Sequence, residues 1–303
     1  MHKRPLALLA TLLGAVALSA CGATSKPSGD KLDVVVPAYP FQWVAERIGG
    51  DRINVTNLVK PGAEPHDVEL TAKQTALITD ASLVMYLPEF QPAVDEAVKQ
   101  HAKSHAFDIA AVEPLAEASH EDEHDGDHAH HGKDPHLWLD PTRLATVADT
   151  LADRLAGIDP THADGYKDRA TALRTELEGL DTEYAARLQT CQRREIVTAH
   201  EAFGYLAARY NLTQVGISGL SPDEEPTAQR IAEIITEAKA HNAAVIFTET
   251  LISPKIAQTI ADGAGVKTQV LDPIESAPKG GTADYTDIMR ANLSQLTTAL
   301  GCS

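Results

Sequence analysis

From residue 32 onward, short runs of β-branched and aliphatic residues alternate with stretches whose apolar positions recur every three or four residues. Residues 33–37, 53–59 and 82–87 are strand-like, and 40–48, 71–80 and 92–101 are helix-like. Pro40 stands early in its helical stretch and Gly49-Gly50 follows its end, the order that helix termini favour. The second half repeats this grammar, with strand-like runs at 195–199, 214–217, 244–248 and 268–271. Its helical stretches are 201–210, 227–241, 254–264 and 284–300. The alternation predicts an α/β protein of two lobes, each a mainly parallel sheet flanked by helices. No strict sequence repeat relates the two halves.

Between them, residues 161–188 contain no internal proline and only Gly165 and Gly179 as glycines. Leu173, Leu177, Leu180, Tyr184 and Leu188 recur at helical spacing. One helix of this length would span about 40 Å at about 1.5 Å per residue, enough to join two lobes side by side. Two shorter helices broken near Gly179 are the alternative. The division expected is an N-terminal lobe over 32–160, a linking helix over 161–189 and a C-terminal lobe over 190–303.

The first residues change the picture of where such a protein works. Lys3 and Arg4 precede an apolar run over 6–18, which ends in Leu18-Ser19-Ala20-Cys21. This is the order of an export signal, and the run is shorter than the roughly 20 residues a membrane span needs. Leu-Ser-Ala-Cys resembles the bacterial lipobox, which implies cleavage after residue 20 and acylation of Cys21, anchoring the protein to the extracytoplasmic face of a membrane. Residues 21–31 are small and polar and suit a flexible tether. Loss of residues 1–20 moves the net charge from −17 to −19, since Lys3 and Arg4 go and no acid does. So acidic a chain argues against nucleic acid as a partner. Outside the reducing cytosol the remaining Cys191 and Cys302 form an even pair expected to bridge, with two free thiols as the alternative.

Four segments carry candidate chemistry: GAEPHD at 62–67, DPHLWLDP at 134–141, TAHEAFGYLA at 198–207 and VLDP at 270–273. Ligands in α/β sheets gather beyond the carboxyl ends of strands, and His66, His200 and Asp272 follow strand-like runs there. Singly each is weak, because a histidine beside a proline is more often a surface residue and an aspartate before proline an ordinary turn residue. In this order and approximate spacing, however, the four segments resemble the zinc- and manganese-binding lipoproteins of ABC importers, over essentially the whole mature chain. The resemblance implies metal ligands His66 and His136 from the N-terminal lobe and His200 and Asp272 from the C-terminal lobe, converging in the interlobe cleft. It also implies a permease and its ATPase as partners, with a metallochaperone as a further candidate, and a monomeric binding protein.

Manganese-binding members typically carry glutamate where this chain has His200. Three imidazoles and a carboxylate suit tetrahedral Zn2+, whereas carboxylates suit manganese, which stays the alternative cargo. Glu201 is a poor substitute if residue 200 opens a helix, because adjacent helical side chains diverge. Glu64 could add a carboxylate, and Glu249 could orient an imidazole. For both, a solvated loop carboxylate is an equally good reading.

Residues 120–131 read HEDEHDGDHAHH, with no apolar side chain larger than alanine. Such a tract cannot offset its ordering entropy by burial, so 118–133 is expected to be a disordered loop. His120, His124, His128, His130 and His131 are accessory metal-binding candidates. A metal-dependent hydrolase is the competing class, since three histidines and an open position are also a catalytic design. A fourth protein ligand would close that position, and no HExxH helix or G-x-S-x-G elbow is present, so no catalysis is expected. An adhesin-like surface protein is the third class.

Overall fold

The computed structural model describes residues 31–117, 132–222 and 226–303. Cys21, the signal segment and all five histidines of the 120–131 tract lie outside the described residues. The N-terminal lobe runs β1 (Leu32–Val36), α1 (Tyr39–Gly49), β2 (Ile53–Asn57), α2 (Ala72–Asp80), β3 (Leu83–Tyr86), α3 (Pro92–Ala97) and β4 (Ala106–Asp108). Then come α4 (Pro141–Ile158) and the long α5 (Ala163–Leu188). The C-terminal lobe runs β5 (Glu195–Thr198), α6 (Gly204–Arg209), β6 (Thr213–Gly216), α7 (Ala228–Ala240), β7 (Val245–Thr248), α8 (Lys255–Ala264), β8 (Lys267–Val270) and α9 (Tyr285–Leu300).

Each lobe holds one four-stranded sheet, ordered β2-β1-β3-β4 and β6-β5-β7-β8, and every pairing is parallel. The central strands read as buried runs because helices cover both faces: Val34–Val36 and Val245–Thr248 are all buried. Thr71 and Gln74 form a capping box at the start of α2, as Asp284 and Asp287 do at α9.

The linking helix is unbroken through Gly179, and it buries Tyr166, Ala170, Leu173, Leu177, Leu180, Tyr184 and Leu188. It packs along α4 and touches both α1 and α9, so it belongs to both lobes. Two elements escaped the sequence reading. β4 is only three residues long, and α4 is an 18-residue helix that Asp140 caps and Pro141 opens.

Helix α5 is not the sole connection. One apolar core runs through both lobes and includes Phe41, Trp138, Phe203, Ile274, Tyr285 and Met289. Trp138 pins it: the indole Nε1–H donates to Pro273 O (2.8 Å), and its own carbonyl accepts from the Tyr285 hydroxyl (2.6 Å). A Cys191–Cys302 disulfide ties the end of α5 to the C-terminal tail across 111 residues. In the chain-entropy picture a loop of that order is worth about 4–5 kcal/mol.

Candidate metal centre

His66 sits on the irregular connection between β2 and α2. His136 immediately precedes a single turn of 3-10 helix (Leu137–Leu139), and His200 lies just past the carboxyl end of β5. Segments from opposite lobes thus meet where the strands of each sheet end. The Nε2 atoms of all three converge on one oxygen, Glu275 Oε1, at 3.2 Å from His66, 2.9 Å from His136 and 3.2 Å from His200. The Nε2 atoms of His136 and His200 are 3.4 Å apart. One ligand atom from each of the four residues lies within 4.8 Å of the others, the one such group among the described residues.

The fourth member is therefore Glu275, not Asp272, and Asp272 lies outside the cluster. Its Oδ1 accepts the Ile274 N–H (2.8 Å) and its Oδ2 accepts the Thr250 hydroxyl (3.3 Å). Three residues further on, the chain has turned Glu275 inward. An acid next to an isoleucine in Pro273-Ile274-Glu275 carries no periodic signal, and the VLDP motif that carries the resemblance pointed to the aspartate.

Two more carboxylates hold the imidazoles from behind. Asp134 Oδ1 accepts both the backbone N–H (2.9 Å) and Nδ1–H (2.8 Å) of His136. Glu249 Oε1 does the same for His200, at 3.1 Å and 2.8 Å. Donation from Nδ1 leaves each Nε2 facing the centre. Glu64 Oε1 instead accepts the backbone N–H of His66 (3.0 Å). Glu201, expected to diverge because residue 200 would open a helix, turns away for a different reason. Helix α6 starts only at Gly204, and Glu201 packs on Gly216, whose added Cβ would lie 2.3 Å from its Cγ.

Burial and charge oppose one another here. Burial lowers the pKa of His66, and the neighbouring Glu275 only partly counters it. At His136 burial also lowers, but the carboxylates of Asp134 and Glu275 outweigh it and the result is raised. His200 ends well above the ordinary value: burial lowers it, and Glu249 and Glu275 more than compensate. Burial would raise Glu275, yet the three imidazoles hold it well below the usual carboxylate range. Its other oxygen, Oε2, is buried and meets no hydrogen-bond donor among the described residues. Such a donor set, with three imidazole nitrogens and an under-satisfied carboxylate, fits a divalent cation of the Zn2+ type.

Comparison with known proteins points the same way. Zinc-binding lipoprotein AdcA of Streptococcus pneumoniae is 35% identical over 303 residues, covering 97% of this chain, which spans 60% of that protein's length. High-affinity zinc uptake system protein ZnuA of Bacillus subtilis is 36% identical over 299 residues, covering 93% of each chain. The solved laminin-binding protein Lmb of Streptococcus agalactiae, described as bifunctional with adhesin and metal transporting activity, superposes with a TM-score of 0.78. It is 33% identical, and the match covers 89% of this chain and 99% of that one. Residues 34–299 match the family described as ZnuA, zinc-uptake complex component A, periplasmic, and the chain belongs to that family of solute-binding transport proteins.

Proposed function

We propose that this chain captures Zn2+ outside the cytoplasm and delivers it to the permease and ATPase of an ABC importer, with His66, His136, His200 and Glu275 as the ligands. The observation that carries this reading is the convergence of three Nε2 atoms on Glu275 Oε1 from both lobes. Zn2+ would enter by displacing the protons that the imidazoles share with Glu275, so uptake releases protons. Four protein ligands leave no open position for an activated water, which is why the site holds a cargo and does not turn over. Names of relatives support the cargo: AdcA and ZnuA are called zinc-binding and zinc-uptake proteins.

In this reading residues 1–20 are removed, Cys21 is acylated, 21–31 tether the domain, and 118–133 gather metal near the mouth. The protein acts as a monomer, with a metallochaperone as a candidate donor. The test is a competition titration of the mature chain with Zn2+ and Mn2+, using wild type, His200→Ala and a deletion of 120–131. One tight Zn2+ equivalent that survives the deletion, collapses with His200→Ala and resists excess Mn2+ is the expected result. Tight Mn2+ binding, or a Zn2+ signal lost with the deletion alone, would overturn it.

A second reading, attachment to laminin, has the name of the Lmb structure behind it. It predicts laminin binding on a coated surface that His200→Ala leaves unchanged, and its absence would remove the reading.

A further inference from the structure

The five residues Asp272–Ser276 are pinned one by one. Helix α9 grips Asp272 at both ends of its backbone: Asp272 N–H donates to Asn292 Oδ1 (2.9 Å), and Asn292 Nδ2 donates to Asp272 O (2.7 Å). The next carbonyl, of Pro273, accepts the Trp138 indole. Glu275 O accepts from Tyr39 N–H (3.4 Å), and Ser276 Oγ accepts from Gly62 N–H (2.9 Å) while donating to Lys60 O (3.2 Å). Between these anchors Ile274 is fully buried and has φ +61°. A β-branched residue is a genuine outlier there, and such a conformation persists only where its surroundings over-determine it.

The N–H of Ile274 is held by the Asp272 side chain. Its Oδ1 takes the N–H two residues on, the bond of an Asx turn. The second oxygen is steadied by Thr250. We propose that Asp272 is the positioning residue of the site: its Asx turn, with the left-handed Ile274, swings the chain so that the Glu275 carboxylate meets the three histidines. The inference rests on the reading of Glu275 as a metal ligand. It gives Asp272 a function distinct from ligation and explains why a strained isoleucine is kept between the two acids.

Because an asparagine makes the same turn, the two roles separate cleanly. The full chain carrying Asp272→Asn, Asp272→Ala or Glu275→Gln is titrated with Zn2+ against a chromophoric chelator, and its Co2+ ligand-field spectrum is recorded. Asp272→Asn keeps Zn2+ affinity within about threefold of wild type and leaves the Co2+ spectrum unchanged. Asp272→Ala weakens Zn2+ by about 10–100-fold and perturbs the spectrum, as loss of an outer support does. Glu275→Gln weakens it further. Asp272→Asn falling as far as Asp272→Ala would overturn the proposal, because the charge and not the turn would then matter. Asp272→Ala matching wild type while Glu275→Gln fails would overturn it too. An unaffected Glu275→Gln would remove the metal role of Glu275, and this proposal with it. Should Asp272→Ala not fold, Ile274→Ala and Ile274→Gly take its place. Both delete the buried side chain, but only glycine accepts positive φ without strain. Ile274→Gly is expected to bind Zn2+ more tightly than Ile274→Ala, and equal affinities would overturn the turn's role.

Discussion

His66 and His200 reach the same centre from sheets of matching strand order, yet they are mounted differently. The N-terminal sheet sends His66 out on an irregular connection between β2 and α2, where Glu64 holds its backbone N–H but no carboxylate among the described residues holds its Nδ1. The C-terminal sheet presents His200 just past β5, with both its backbone and its Nδ1 on Glu249. Side-chain exposure follows the mounting, at 10% for His66 and 0% for His200. His136, although from the N-terminal lobe, is mounted like His200, through Asp134. Two rigid imidazoles and a pinned carboxylate therefore define the centre, and one less constrained imidazole completes it.

The largest expected effect breaks the comparison outright. His200→Ala removes a fixed ligand and should weaken Zn2+ by more than the roughly 10–100-fold typical of outer partners, with His66→Ala losing less. A competition titration showing the reverse order would refute the difference in mounting. Next, Asp134→Ala and Glu249→Ala should each weaken Zn2+ by about 10–100-fold. Their amide counterparts should lose less, since an amide oxygen still accepts the Nδ1–H. Equal losses for alanine and amide would mean that charge, not orientation, is what these residues supply.

A smaller effect concerns the support behind Asp134. The Tyr205 hydroxyl accepts from Ala116 N–H (2.8 Å) and donates to Asp134 O (2.9 Å), joining the C-terminal lobe to the N-terminal one. Tyr205→Phe strands that N–H and should cost about 1–3 kcal/mol in denaturant unfolding. No change in the unfolding midpoint would show that the bridge is dispensable.

The smallest effect is the pH profile. In the metal-free protein His136 and His200 have raised pKa values. Their contribution to stability is complete below the ordinary histidine value of about 6.5 and is lost as pH rises through the folded values. His66, with a lowered pKa, acts oppositely and loses its contribution as pH falls through about 6.5. Above neutrality His66 already contributes in full while His136 and His200 lose their contribution, so metal-free Tm should decline there while the Zn2+-loaded form holds. Melting curves in which the gap does not widen with pH would contradict this.

Much of the fold was legible because parallel strands covered on both faces read as apolar runs. The long helix showed itself through Leu173, Leu177, Leu180, Tyr184 and Leu188, all of which are buried. Helix α4 went unread, although Asp140, Pro141, Leu144, Val147, Leu151 and Leu155 carry its cap and its buried stripe. Masked beside a recognisable motif, that periodicity was available and unused. Glu275 was harder. Finding it requires knowing that Ile274 adopts a left-handed conformation, which propensity argues against and tertiary anchoring imposes. Asp272 was implied as a ligand by the resemblance and by its place at the exit of β8, but its Oδ1 accepts the Ile274 N–H.

The central claim is that the donor set is three imidazoles and one carboxylate, drawn from both lobes. X-ray absorption at the zinc K-edge, on protein lacking 120–131 and loaded with one equivalent of Zn2+, tests it most directly. The account predicts a four-coordinate shell with imidazole scattering from three histidines and first-shell distances of about 2.0–2.2 Å, falling to two histidines in His200→Ala. A six-coordinate shell dominated by oxygen, or one that His200→Ala leaves unchanged, would contradict it.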